Sequence, residues 1–362
     1  MNQKQKLLPH TQTRELLLSC LLLKKTKTIT LNIFTFFIFV NSLFPIQNDR
    51  LKIKSAADYD QIKDSIVTIG TFDGVHLGHQ KIINQLVGIA KVDQLQALVL
   101  TFFPHPRMIV QEDSSIKLIN TIDEKASLMQ NLGVDHLVIK AFTKDFSRLS
   151  ALEYVRDVLV NKLHIKHIII GYDHHFGRNR TANIKDLKEF GAFYGFKVTE
   201  IDAHEVGDVA VSSTKIRLAL ENGDITTANQ FLGYNFMLSG LVVKGRGLGK
   251  TIQFPTANLK IEASYKLIPK KGVYLVKSLI DTQLVYGMMN IGINPTVSDS
   301  EEVSIEVFLF NFDQSLYGQE LTVQLLDRIR DEIKFPGLQE LKLQLESDRQ
   351  AALDKIELLT KN

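Results

Sequence analysis

Ser65-Ile-Val-Thr-Ile-Gly-Thr-Phe-Asp-Gly-Val-His-Leu-Gly-His79 decides the fold, because two structural periods meet within it. Ser65 to Gly70 is nearly continuous in apolar residues, the pattern of a short strand buried on both faces. From His79 to Ala90 the apolar residues Ile82, Ile83, Leu86 and Ile89 recur at helical spacing. Between them lies a turn containing Gly70, Gly74 and Gly78, which permits a tight bend and close backbone approach. A strand that ends in a glycine turn at a helix N-terminus presents backbone N–H groups and a positive dipole end to an anion. The segment therefore predicts a phosphate site on a parallel sheet. His76 and His79, three residues apart, project to one side of that turn, where imidazoles can donate to phosphate oxygens as charge builds.

Outward from this stretch the same alternation continues. Ala97 to Phe102, Leu137 to Lys140 and His167 to Gly171 read as further short strands. Thr121 to Leu132 and Ser150 to Leu163 read as helices, each opened by a capping box, Thr121 with Glu124 and Ser150 with Glu153. Strands alternating with helices predict an α/β domain with a doubly wound parallel sheet. After Gly233 the pattern changes to strands punctuated by glycine: Leu238 to Lys244, Val273 to Leu279, Val285 to Ile291, Val303 to Phe310 and Leu321 to Leu326. That predicts an antiparallel β-barrel closed by a C-terminal helix from about Gly337. The expected domains are residues 51–232 and 236–362, after an N-terminal extension over residues 1–50.

The chain has 362 residues, a size that suits two domains, with 44% hydrophobic and 23% charged residues. Its one cysteine, Cys20, excludes a disulfide framework and a cysteine zinc site. The formal net charge is +3, but residues 1–50 hold seven Lys/Arg against two acids, leaving 36 bases against 38 acids elsewhere. No basic stripe tracks a phosphate backbone, so no nucleic-acid partner is expected. Thr28 to Asn48 is uncharged and follows Lys24, Lys25 and Lys27. It reads either as a signal-anchor helix or as an over-extended gene start, and the second reading goes with a cytoplasmic protein.

Four strings in order carry a family resemblance. The first is Gly70-Thr-Phe-Asp-Gly-Val-His-Leu-Gly-His79; the second is Thr101-Phe-Phe-Pro-His-Pro106. Gly171-Tyr-Asp-His-His-Phe-Gly-Arg-Asn-Arg180 and Val211-Ser-Ser-Thr-Lys-Ile-Arg217 follow. They resemble the flavin-specific branch of the HxGH nucleotidyltransferases, the adenylyltransferase half of bacterial bifunctional riboflavin kinase/FAD synthetases. That resemblance implies roles for His76 and His79 in catalysis. It implies ATP and phosphate contacts for Gly70, Phe72, Asp73, Gly74, Gly78, Ser213, Thr214 and Arg217, and a substrate contact for Asp173.

The second domain carries signatures of its own. Lys244-Gly-Arg-Gly-Leu-Gly-Lys-Thr251 misses a Walker A loop, because Lys244 occupies its first glycine position and Pro255 argues against the following helix. The next residues, Phe254-Pro-Thr-Ala-Asn258, resemble the PTAN signature of riboflavin kinases, which follows a glycine-rich flap. Gln253 stands where that family usually has glycine. The resemblance implies that Thr256 and Asn258 hold Mg²⁺ and ATP phosphates, with Gly245 and Gly249 in the flap. A hard cation that keeps most of its waters suits a few oxygen ligands beside phosphates. Glu306 is the candidate general base, a carboxylate on an otherwise apolar strand. Arg330 and Phe335 resemble the RxExxF element of that family, which implies a place for them near the flavin. The expected function is phosphorylation of riboflavin to FMN by ATP and adenylylation of FMN to FAD. Retention of only one activity and a non-catalytic flavin carrier are the alternatives.

Overall fold

The computed structural model describes residues 52–55, 64–113, 115–171, 174–201, 211–245, 249, 253–293 and 303–361. The N-terminal extension and Asp173 lie outside these described residues. The chain from Arg50 onward forms one compact unit.

Its first part runs β1 (Lys52–Ser55), β2 (Ser65–Ile69), α1 (Leu77–Asp93), β3 (Gln96–Phe103), α2 (Pro106–Val110), α3 (Ile122–Asn131), β4 (His136–Ala141) and α4 (Lys144–Ser147). α5 (Ala151–Glu153) continues directly as a π-helix, Tyr154–Val160. Then come β5 (Ile165–Gly171), α6 (Ile184–Tyr194), β6 (Lys197–Ile201), α7 (Ser213–Asn222) and α8 (Ile225–Leu232). The six strands form a sheet in the order β1-β4-β3-β2-β5-β6, and every pairing is parallel. All five residues of β2 are buried, which explains its lack of polar alternation. One apolar cluster packs α1 and α3 onto the sheet; another packs the π-helix and α6. The sheet is doubly wound, and its strand order reverses at β2, between β3 and β5. In such sheets the crevice for a ligand lies beyond the carboxyl ends of the strands at that point, which is where Gly70 to His79 sits.

The second part runs β7 (Met237–Val243), β8 (Ala257–Lys260), β9 (Gly272–Ile280), β10 (Gln283–Ile293), β11 (Val303–Leu309), β12 (Glu320–Arg330) and α9 (Leu338–Thr360). The strands close a barrel in the order β10-β11-β8-β7-β12-β9, every pair antiparallel. Strand alternation sorts the side chains between two cores. Val276, Met289, Ile305, Val307, Val323 and Leu325 share one cluster with Ile216, Leu220, Ile225, Ala228 and Leu232 of α7 and α8. The helix pair α7/α8 thus packs into the barrel's own core. Asn229 of α8 fastens it there: its Nδ2 donates to the carbonyl of Leu325 at 2.9 Å, and its Oδ1 accepts from the N–H of Phe236 at 2.7 Å. Val273, Leu275, Met288 and Phe310 form the other cluster under α9. Leu341, Leu345, Ala352 and Ile356, spaced four and seven apart, supply the helix's apolar stripe.

Among the described residues, no helix is long and apolar enough to cross a membrane. Arg330 at the end of β12 ties α9 down. Its Nε and Nη2 donate to both oxygens of Asp348, at 2.8 and 2.7 Å, and that carboxylate is buried. Removing one partner of a buried pair leaves the other uncompensated. Asp348→Ala is accordingly expected to lower stability by about 3 kcal/mol, read from the urea denaturation midpoint. An unchanged midpoint would show that α9 is held by apolar contacts alone.

Candidate functional site

Two constellations of chemistry-bearing residues stand out, one in each part of the unit. In the first, β2 hands the chain to α1 through a strained turn. Phe72 and Val75 hold φ of 45° and 37°, and Gly74 between them holds φ of 87°. A Cβ on Gly74 would lie 2.9 Å from Cδ1 of Ile119, so both backbone sign and space call for glycine there. Asp73 is 2% exposed. Its Oδ1 accepts from the N–H of Ile119 at 2.9 Å, and its Oδ2 accepts from Nη2 of Arg217 at 2.5 Å. Ser213, the first residue of α7, donates to the carbonyl of Asp73 at 2.8 Å. Nε of Arg217 donates to the carbonyl of Lys117 at 2.9 Å. The structure therefore brings Asp73, Ser213 and Arg217 together, while Thr214 beside them is exposed.

His76 is the N-cap of α1, its Nδ1 accepting from the N–H of His79 at 3.4 Å. The two rings stack, with centroids 3.6 Å apart and planes 17° from parallel, and Phe72 meets His79 edge-on. Burial pushes His76 down to about 4, against a smaller opposing pull from Asp73. His79 lies well below the ordinary histidine range, first through burial and then through His76 and Lys125. Both rings are neutral near pH 7, and Nδ1 of His79 is buried without a hydrogen-bond partner among the described residues. They can donate to a phosphate oxygen but bring no formal charge.

Sequence reasoning missed the cation. Lys125, on α3 and 3% exposed, donates from Nζ to the carbonyl of Thr71 at 2.7 Å. Burial lowers its pKa to about 8, with Asp73 opposing. On a helix whose exposed positions are polar, one more lysine reads as a solvated side chain, and only tertiary packing reveals otherwise. His105 of the Thr101–Pro106 string caps α2 and is held down to about 4 by burial, Asp73 acting against this. The residues Gly70, Phe72, Gly74 and Gly78 all belong to the turn or to the first turn of α1.

In the barrel, strand register does what the first turn does in the sheet. Asn258 on β8 pairs directly with Glu306 on β11, and Glu306 pairs with Asn290 on β10. Asn290 pairs with Val273 on β9, and Val273 with Arg330 on β12. Directly paired residues face the same side, so one row across five strands carries Asn258, Glu306, Asn290 and Arg330. Thr256, two residues before Asn258, donates from Oγ1 to Oε2 of Glu306 at 3.0 Å. Residues Thr256, Asn258 and Glu306 are half-buried, which leaves their oxygens approachable. The two described flap glycines close on the same place: a Cβ on Gly245 would strike the amide of Asn258, and one on Gly249 would strike the carbonyl of Phe254. Gln253 sits at φ 68°, a conformation that favours glycine, the residue expected there. A cavity of about 200 Å³ opens beside Thr256, lined by Val242, Ala257, Val307, Leu316 and Tyr317.

Arg330 belongs to that row, but its guanidinium is occupied by Asp348 and lies 5.8 Å from the Phe335 ring centroid. Asp173 is outside the described residues. Asn290 was not singled out from the sequence as a site residue; its register opposite Glu306 is the signal.

Comparison with known proteins bears on both constellations. The family model for FAD synthetase matches residues 58–215, and that for riboflavin kinase matches residues 232–356. The chain is 39% identical to the bifunctional riboflavin kinase/FMN adenylyltransferase of Listeria monocytogenes, over 79% of this chain and 91% of that one. To the protein of the same description from Bacillus subtilis it is 36% identical, over 80% and 92%, and to that of Escherichia coli K12 35%, over 79% and 91%. A solved structure described as a macrolide-efflux protein from Streptococcus pneumoniae superposes with a TM-score of 0.72 at 31% identity, covering 83% of this chain and 98% of that one.

The folded pKa of His76, about 4, lies below its ordinary 6.5. Between those values the unfolded chain binds the extra proton, so the contribution is complete above pH 6.5 and lost as pH falls towards 4. Replacement by glutamine removes it. His76→Gln is expected to flatten the decline in unfolding free energy between pH 7 and pH 4.5, by up to about 3 kcal/mol, as read from urea denaturation curves. Parallel declines in the two proteins would contradict a buried neutral ring.

Proposed function

The chain belongs to the family of bifunctional riboflavin kinases/FMN adenylyltransferases, and from that premise we propose that it makes FAD from riboflavin with its two reactions divided between its two parts. Residues 236–362 form the kinase and residues 51–232 the adenylyltransferase. The single observation that carries the division is the pair of separate constellations, one on the β2–α1 turn and one on the β8–β11–β10 row.

In the kinase, Glu306 acts as general base. Its carboxylate takes the proton from the ribityl hydroxyl of riboflavin as that oxygen forms a bond to the γ-phosphorus of ATP and the bond to ADP breaks. Thr256 orients the carboxylate through its 3.0 Å hydrogen bond. The flap ends at Gly245 and Gly249 shelter the phosphates, and Phe335 with Arg330 borders the flavin. The donor set fits Mg²⁺: a hydroxyl, an amide and a carboxylate converge at a half-buried, approachable site, as a cation that retains several waters requires. Thr256 and Asn258 would hold it. When bound with ATP it neutralises charge on the phosphate oxygens.

In the adenylyltransferase, a phosphate oxygen of FMN attacks the α-phosphorus of a second ATP and pyrophosphate leaves. The backbone of Gly70 to Gly78 and the N-terminus of α1 receive the phosphates. His76 and His79 donate from neutral rings to the oxygens where charge builds, and Asp73 with Ser213, Thr214 and Arg217 shapes the ATP side. Asp173 contacts the substrates. Both steps depend on positioning and charge neutralisation, without a covalent enzyme intermediate. The partners are small molecules, with no nucleic acid, and dependence on ATP assigns both steps to the cytoplasm.

Separate assays of each step test the division. Glu306→Ala is expected to cut FMN formation at least about 100-fold while FAD formation from supplied FMN persists. His79→Ala is expected to do the reverse. Loss of both activities in either folded variant would sink the division, and a wild type with one activity would establish a single-function enzyme.

A further inference from the structure

Glu124 and Lys125 are consecutive residues in the first turn of α3, each 3% exposed, and they face in different directions. Lys125 reaches the adenylyltransferase turn through the carbonyl of Thr71. Glu124 reaches the barrel. Its Oε1 accepts from the N–H of Ser239 on β7 at 3.1 Å, and its Oε2 accepts from Nζ of Lys266, between β8 and β9, at 2.5 Å. The same Oε2 closes the capping box on the N–H of Thr121 at 3.0 Å. Lys266 is itself 2% exposed, donates also to the carbonyl of Ile119 at 2.6 Å, and lies 4.5 Å above the ring of Phe236. Around it the backbones bond directly: Leu118 N–H to the carbonyl of Tyr265 at 2.7 Å, and Leu267 N–H to that of Leu118 at 2.8 Å.

The segment gripped in this way, residues 117–125, is the one that holds the adenylyltransferase turn. Ile119 donates to Asp73, Lys117 accepts from Arg217, and Lys125 donates to Thr71. A carboxylate and an ammonium buried together are tolerated only when geometry and further hydrogen bonds compensate their desolvation. Here Lys266 supplies two of those bonds from the kinase part of the chain. Its removal takes the donor from the buried Ile119 carbonyl and, where Glu124 is kept, leaves that carboxylate charged and buried, so residues 119–125 must shift or admit water. Thr71 and Asp73 lie one hydrogen bond further on. The Thr256–Asn258–Glu306 row shares no described hydrogen bond with this segment.

We propose that Lys266, a residue of the kinase barrel, is a positioning residue for adenylyl transfer, fixing the phosphate turn through residues 117–125. The inference rests on the functional reading above. It makes the barrel a structural component of the other part's active site, and it predicts an effect on one reaction only.

The test uses the full chain with two variants, Lys266→Met and the charge-free pair Glu124→Gln/Lys266→Met, which retains the capping box and a side chain of similar volume. Riboflavin phosphorylation, measured in the same preparation, reports the folded fraction. For both variants kcat for FAD formation from FMN is expected to fall about tenfold or more, with kcat and KM for riboflavin phosphorylation within twofold of wild type. If Lys266→Met fails to fold, the charge-free pair decides. Adenylylation within twofold of wild type in a variant with normal kinase activity would overturn the proposal, as would a proportional loss of both reactions, which marks a purely structural role. A wild type that forms no FAD from FMN would instead overturn the functional reading.

Discussion

Everything at the first site depends on burying the carboxylate of Asp73. A charge taken out of water costs several kcal/mol unless it is paired and hydrogen-bonded, and Asp73 is satisfied by groups from two distant segments, the N–H of Ile119 and the guanidinium of Arg217. The neighbouring carbonyls are held from elsewhere again: Ser213 donates to that of Asp73, and Tyr234 donates to that of Gly74 at 2.6 Å. The positive φ values at Phe72, Gly74 and Val75 persist because these contacts over-determine the turn. Arg217 and Ser213 lie on α7, and α7 packs into the barrel core. The phosphate turn and the barrel interior are therefore parts of one packing problem, although the reactions assigned to them are separate.

On the proposed reading, the two sites would meet phosphate by different physical routes. At the β2–α1 turn the imidazoles are neutral and Arg217 is already paired with Asp73. Attraction for an anion there falls to backbone N–H groups, the helix N-terminus and the buried Lys125. Such groups are fixed in advance and need no reorganisation as charge develops. The barrel site has the opposite character, a half-buried row of oxygen and amide groups around Glu306. It suits a reaction that needs a base and a cation-bound triphosphate.

Much of this was legible in sequence because the elements concerned have strong local patterns. The continuous apolar runs predict β2, β3, β4 and β5 to within two residues at either end, and both capping boxes form, at Thr121 and Ser150. The C-terminal helix starts after Gly337, as its apolar spacing requires. The helix expected over Ser150 to Leu163 begins as predicted but runs on as a π-helix over Tyr154–Val160; its wider turn has no local signature. β8 is four residues long, too short to show alternation, and its identity is settled by pairing with β7 and β11. Thr256 and Asn258 stand out through the family resemblance and Glu306 also as a carboxylate on an apolar strand, while their convergence over a separation of some fifty residues is a consequence of register. Lys125 and Lys266 left no signal at all, since burial of a lysine is decided by what packs over it.

The central claim is that one chain performs both phosphorus transfers in sequence. The measurement that tests it most directly is a time course of flavins separated by chromatography after purified protein is mixed with riboflavin, ATP and Mg²⁺. The account predicts that FMN rises first and FAD follows at its expense. Arrest at FMN would contradict the assignment of the β2–α1 turn to adenylyl transfer, and unchanged riboflavin would contradict the account as a whole.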